Sequence, residues 1–193
     1  MSEKPKPAAK PTRRRRKASV GPVEIRGMRL DDLPTVFALG QKLFTAEDLP
    51  TLYRCWDDDE VMQLFGSYEE TCLVAEAEGK IVGFALGSIM KKPRNAWLYG
   101  WLEWLGVDPA YKRLGIATRL LNQLTSQFVR REARIILVDT DEANHQALSF
   151  FRKSGFGHEI KHVYLSCNID DHPLAIERKE ALRAEEDEDE DED

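Results

Sequence analysis

The stretch from Trp97 to Leu124 constrains the fold more than any other part of this 193-residue chain. An apolar, strand-like run, Trp97 to Val107, passes through a short basic loop into an amphipathic helix. Ile116, Leu120, Leu121 and Leu124 recur at helical spacing along that helix. Its entry, with Lys112, Arg113, Gly115 and Ala117, presents first-turn amides and the positive end of the helix dipole to whatever lies in front. Such an entry is a receptacle for phosphate or diphosphate. A larger side chain at 115 or 117 would hold the ligand away from the backbone donors. A plain strand-to-helix turn would place a glycine there too, so the loop alone leaves both readings open.

A second segment decides between them. Asn144-His145-Gln146-Ala147-Leu148-Ser149-Phe150-Phe151-Arg152-Lys153-Ser154-Gly155-Phe156 reads as a short helix with Ala147, Phe150 and Phe151 on its apolar stripe. Lys153 falls in its last turn, and Gly155 offers the left-handed residue that ends helices. One helix and one strand (Ile135 to Asp139) separate the two segments. Together they resemble the two signatures of the GNAT superfamily of N-acetyltransferases. Lys112-x-x-Gly115-x-Ala117, led by Val107-Asp108-Pro109, stands for the diphosphate-binding Gln/Arg-x-x-Gly-x-Gly/Ala, with Lys112 a departure from the usual Gln or Arg. The second segment stands for Asn-x-x-Ala-x-x-Leu/Phe-Tyr-x-x-x-Gly-Phe, with Phe151 in place of the usual Tyr. The overall look is nearest the branch that acetylates the N-termini of proteins such as those of the ribosome.

The ends of the chain lie outside any core. Residues 1 to 20 hold three prolines and the run Arg13-Arg14-Arg15-Arg16-Lys17, and residues 185 to 193 are acidic throughout. Neither end has the apolar surface to offset the entropy of ordering it. The expected organisation is a disordered basic arm (1–20), one domain (21–172) and a C-terminal helical, then acidic and disordered, tail (173–193). The tails carry opposite charge, which leaves a mildly acidic domain with no basic footprint for nucleic acid on a folded face. Arg13 to Lys17 could make weak contact with ribosome or nucleic acid, or simply solubilise the chain. Cys55, Cys72 and Cys167 match neither a disulfide framework nor a metal site, and Cys72 and Cys167 fall in apolar runs. No membrane-spanning stretch or signal-peptide core is present in the sequence, so a cytoplasmic protein is expected.

Within the domain, the pattern predicts a strand at Val23 to Met28, then a helix capped by Asp31 and running through Leu33, Val36, Phe37, Leu39 and Leu43. A second helix over roughly Leu52 to Phe65 follows, then strands Thr71 to Glu78 and Lys80 to Met90 joined at Glu78-Gly79. The aromatic strand, the loop-led helix to about Arg131, the strand Arg134 to Asp139 and the helix from Asn144 come next, with final strand material from Phe156 to about Ile169. This order implies a mixed α+β (α/β) fold. With the resemblance it becomes a GNAT-like twisted mixed sheet of about six or seven strands with helices on both faces.

The resemblance implies acetyl-CoA as co-substrate, a primary amine as acceptor (small molecule, lysine or protein N-terminus), no metal, and the possibility of a homodimer. It assigns coenzyme contacts to Leu105, Val107, Lys112, Arg113, Leu114, Gly115, Ile116, Ala117, Thr118, Asn144 and Phe151. An attacking amine needs a base. Glu103 is the candidate, because strand parity places Trp97, Tyr99, Trp101, Glu103, Leu105 and Val107 on one face. Alternatively this carboxylate pairs with an arginine inside the sheet, or a bulge near Gly106 turns it outward. Phe151 cannot protonate a leaving thiolate, so Tyr164, with Tyr111 behind it, becomes the candidate acid, unless the thiolate leaves unassisted. Asp57, Asp58, Asp59 and Glu60 could attract a cationic acceptor or merely start a solvated helix. Two competing readings stand beside the enzyme: an acyl-CoA-binding module without turnover, and an interaction factor working through its tails.

Overall fold

The computed structural model describes residues 21–45, 55–91, 97–163 and 165–190. The first unit ends at Phe156. In it, β1 (Val23–Gly27), β2 (Cys72–Ala77), β3 (Lys80–Lys91), β4 (Leu98–Val107) and β5 (Ala133–Leu137) form one sheet in chain order. The first four strands are antiparallel and β5 joins β4 in parallel. α1 (Leu33–Leu43) and α2 (Asp58–Tyr68) pack on one face, α3 (Ile116–Arg130) and α4 (His145–Lys153) on the other. The mixed α+β class is as the sequence implies, with five strands rather than six or seven.

The two cores follow from alternation. Val74, Phe84, Leu86 and Trp104 meet α1 and α2, whereas Leu73, Ala75, Ala85 and Leu102 meet Leu120, Leu121, Leu124 and Phe128 of α3. Gly100 and Gly87 leave the notch that takes the Phe128 ring, since a Cβ at Gly100 would stand 2.5 Å from it. On the other face Phe44, Trp56 and Trp104 pack as a cluster of tilted and edge-on rings, with Phe44 and Trp104 ring centres 4.7 Å apart.

Several predicted boundaries move. Asp32, not Asp31, ends the helical turn Leu30–Asp32 that leads into α1, and its carboxylate accepts the Arg29 N–H at 2.8 Å. Arg26 of β1 grips the same carboxylate and, through Nε, Glu76 of β2 at 2.8 Å. The start of α1 is thereby tied to the sheet, which fixes where the helix delivers Lys42, Leu43 and Phe44. α2 ends at Tyr68 rather than near Phe65; the predicted start near Leu52 lies outside the described residues. Glu78 and Gly79 both have positive φ, the mirror-image turn that suits a tight hairpin.

The second unit spans residues 157–193. The strand expected to Ile169 is not formed among its described residues, and Ile160, Val163, Leu165 and Ile169 are exposed. Local alternation does not make a strand without a partner ladder. Cys167 is exposed rather than core-like. α5 (Pro173–Glu190) is the expected C-terminal helix, and it continues into the acidic run expected to be disordered. No helix among the described residues is long and apolar enough to cross a membrane.

Candidate active site

β4 and β5 pair only from Leu98↔Ala133 to Trp101↔Leu137. Beyond that point the strands part, and β4 continues to Val107 with its β5-facing edge open. A cleft of about 1250 Å³ occupies the gap. Its walls come from β4, the end of α1, the segment Val138–Asp141, the entry of α3 and α4.

The entry of α3 forms as the sequence requires. Asp108 caps a short turn by accepting the Ala110 N–H at 2.8 Å, and Arg113 and Gly115 both adopt positive φ. Gly115 is the N-cap of α3 at φ 76°, and a Cβ built there meets nothing within 4 Å. Its carbonyl receives the first helical bond, from Arg119 N–H at 3.0 Å. The amides of Ile116, Ala117 and Thr118 therefore precede the first intrahelical donor. These residues line the cleft together with Lys112 and Arg113. Open space at Gly115, amides and two cations at one helix start suit a diphosphate.

Of the residues singled out from sequence, Glu103, Leu105, Val107, Lys112, Arg113, Gly115, Ile116, Ala117, Thr118, Asn144 and Phe151 all line this cleft. Leu114 does not; its side chain is exposed. Tyr164 lies outside the described residues, as does Arg13 to Lys17. Tyr111 lines the cleft. Asn144 is the N-cap of α4, its Oδ1 accepting the Ala147 N–H at 3.1 Å. Phe151 is buried between Phe150 and Phe156. The Phe156 N–H returns to the Phe151 carbonyl at 3.0 Å and the Gly155 N–H to Arg152 at 3.2 Å, with Gly155 left-handed. That pattern seals the helix end and fixes the Phe151 ring against the wall.

The parity expected along β4 holds only to Glu103. Leu86 pairs with Trp104 and Gly87 with Leu102, so Glu103 is the extra residue of a β-bulge. Leu105 and Val107 consequently pack with the α3 core, whereas Trp104 packs with α1 and α2. Glu103 itself is half-buried, and its Oε1 accepts the Ser88 hydroxyl at 2.6 Å. Ser88 was not singled out from sequence; its only signal is a hydroxyl interrupting an apolar strand. Asp139, also missed, lies just past β5 on the cleft wall and accepts the Trp101 indole N–H at 3.2 Å.

The acidic run before and within α2 belongs elsewhere. Asp57 is the N-cap of α2, accepting Glu60 N–H at 2.7 Å, and Glu60 Oε1 accepts the Trp104 indole N–H at 3.1 Å. None of Asp57 to Glu60 lines the cleft.

Solved structures share this architecture. An aminoglycoside acetyltransferase, meta-AAC0020, from an uncultured soil metagenomic sample, in complex with sisomicin, superposes with a TM-score of 0.59 at 20% identity, covering 76% of this chain and 97% of that one. AAC(6')-Iy in complex with the bisubstrate analogue CoA-S-monomethyl-acetylneamine gives 0.60 at 19%, covering 77% and 99%. Glucosamine-6-phosphate N-acetyltransferase from Arabidopsis thaliana gives 0.58 at 20%, covering 76% and 99%. The family model described as Acetyltransferase (GNAT) family matches residues 36–156, from the middle of α1 through the sealed end of α4, and so takes in the whole sheet after β1, the bulge and the loop: the chain belongs to the GNAT family of acetyltransferases, which use acetyl-CoA.

Proposed function

We propose that this acetyltransferase acetylates a cationic primary amine, with Glu103 accepting the amine's proton. The observation that carries the reading is the placement of one carboxylate, Glu103, in the bulge where β4 loses its β5 partner and the cleft begins. When bound, acetyl-CoA supplies an activated acetyl thioester. The Ile116–Thr118 amides with Lys112 and Arg113 would hold its diphosphate, and the open edge of β4 from Leu102 to Val107 would accept the polar groups of its arm. Helix-start contacts are typically worth ~0.3–1 kcal/mol each when exposed and ~2 kcal/mol when partly buried. A micromolar complex needs about 8 kcal/mol, which several such contacts and the arm together can supply.

Glu103 then has one task. The amine attacks in its neutral form, its ammonium proton lost to solvent, and the carboxylate takes the second proton, directly or through one water, as the new C–N bond replaces the thioester C–S bond. Phe151 has no proton to give; the sulfur takes one from Tyr111, which lines the cleft, or departs as thiolate, which a thiol of ordinary acidity tolerates. The cleft lining combines cations at the α3 entry (Lys112, Arg113) with carboxylates at Glu103, Asp139 and Asp141. This polarity suits an anionic donor and a cationic acceptor in one groove. Aminoglycoside and amino-sugar acetyltransferases among the similar structures support small polyamines and amino sugars as acceptors. A protein N-terminal amine, suggested by the Val107-Asp108-Pro109 lead-in, presents the same chemistry.

The test is thiol release from acetyl-CoA with a panel containing spermidine, kanamycin, glucosamine 6-phosphate, a lysine peptide and peptides with free N-termini. Turnover with at least one amine, lost in Glu103→Gln by about a hundredfold, is expected of a general base. Coenzyme binding with no amine turned over would instead leave a binding module.

A further inference from the structure

We propose that Ser88 is the positioning residue for Glu103, holding the ionised carboxylate in the bulge so that it meets the acceptor amine. The inference rests on the reading of Glu103 as the base and adds a second strand to the machinery. Ser88 sits on β3 directly across from Trp101, the last β4 residue paired with β5. Its parity is that of Phe84 and Leu86, so its hydroxyl points into the face shared with α1 and α2, where it is 8% exposed. From there the Oγ donates to Glu103 Oε1 at 2.6 Å, a short bond of the charge-assisted kind.

The environment makes that hydroxyl a fixed point. A bulge frees the local ladder and lets the residue within it swing. Here the neighbouring carbonyl, that of Gly87, lies 2.6 Å from the buried Thr71 hydroxyl, which also reaches the Tyr68 carbonyl at 3.0 Å. Thr71 is 1% exposed, and it anchors β3 at the residue before Ser88. A Gly87 side chain is also excluded, because a Cβ there would stand 2.7 Å from the Phe128 ring. Thr71, the Gly87 backbone and Ser88 thus form a rigid support whose exposed end is the Glu103 carboxylate. A hydroxyl held at this fixed point sets which way the carboxylate faces, and so which oxygen is left for the amine.

The experiment compares Ser88→Ala, Ser88→Thr and Glu103→Gln in the full chain. The first readout is the chemical shift of the 13C-labelled glutamate carboxyl signals at pH 7, with Glu103→Gln assigning the resonance. It needs no acceptor. The second is kcat and KM, measured separately, for the best amine of the panel, with acetyl-CoA affinity measured by calorimetry. Ser88→Ala is expected to move the Glu103 carboxyl shift and to act on kcat rather than on the KM of the amine. It should lower kcat about tenfold, the worth of one hydrogen bond to a charged group, with coenzyme affinity unchanged and Ser88→Thr largely restored. A Ser88→Ala protein with the wild-type carboxyl shift and kcat would overturn the proposal while Glu103→Gln could still be inactive. Full activity in Glu103→Gln would overturn the base itself, and the role of Ser88 in the reaction with it.

Discussion

The Trp101 indole N–H reaches across the fork between β4 and β5 to Asp139 Oδ1, 3.2 Å away, at the point where the two strands stop pairing. Trp101 and Leu137 are the last partners in register, and Asp139 follows two residues beyond Leu137. The bond therefore pins the chain leaving β5 against the mouth of the cleft. Trp101→Phe removes the donor and keeps the ring. It is expected to lower stability by about 1 kcal/mol and to weaken acetyl-CoA binding severalfold, measured by urea unfolding and calorimetry. No change in either would mean the bond holds nothing in place.

Packing behind the site is equally specific. Gly100→Ala would drive a methyl group into the buried Phe128 ring, which has no space to retreat. A loss of about 1–3 kcal/mol is expected from overpacking, and Phe128→Leu in the same chain should recover part of it. Additive losses in a double-mutant cycle would contradict this geometry.

Acid should loosen the start of α1 before the rest. The Arg26 guanidinium, and then the Arg29 N–H, hold the Asp32 carboxyl below its ordinary value. A group depressed on folding adds stability above its unfolded value, near 3.9, and that contribution is lost as pH falls through the folded value. Asp32→Asn should therefore cost about 2 kcal/mol at pH 7, with the gap to wild type closing below about pH 4. Denaturation curves between pH 7 and pH 3 give the answer; a gap independent of pH would assign the loss to shape alone.

Thiol chemistry separates the three cysteines. Burial pushes Cys72 up to about 12, with the nearby Glu69 charge adding to it, whereas Cys55 and Cys167 are exposed. At pH 8 a thiol reagent should label Cys55 and Cys167 in the native protein and reach Cys72 only after denaturation. Rapid labelling of Cys72 in the native state would show that this part of the sheet opens. The two accessible thiols also set the background of any thiol-release assay.

The parts of this fold legible in the sequence are those whose physics is local. The α3 entry follows from Gly115 and the periodicity behind it, and the α4 end from Gly155 and Phe156. Parity alone misplaced Leu105 and Val107 relative to Glu103, because a bulge is set by how β3 and β4 pair rather than by β4 itself. Ser88 stayed hidden for the same reason: its partner lies on another strand. Apolar alternation from Phe156 to Ile169 suggested a strand that needs a neighbour to exist. The acids at Asp57 to Glu60 fitted either attraction of a cationic acceptor or the start of a helix, and the second holds: Asp57 caps α2 and Glu60 holds Trp104.

Calorimetry of acetyl-CoA binding to the wild-type chain and to Gly115→Val tests the central claim most directly. The wild type should bind in the micromolar range, about 8 kcal/mol. The valine, forced to a positive φ and projecting into open cleft space, should abolish the heat while circular dichroism stays native. Equal affinities in the two proteins would contradict the assignment of the diphosphate to the start of α3.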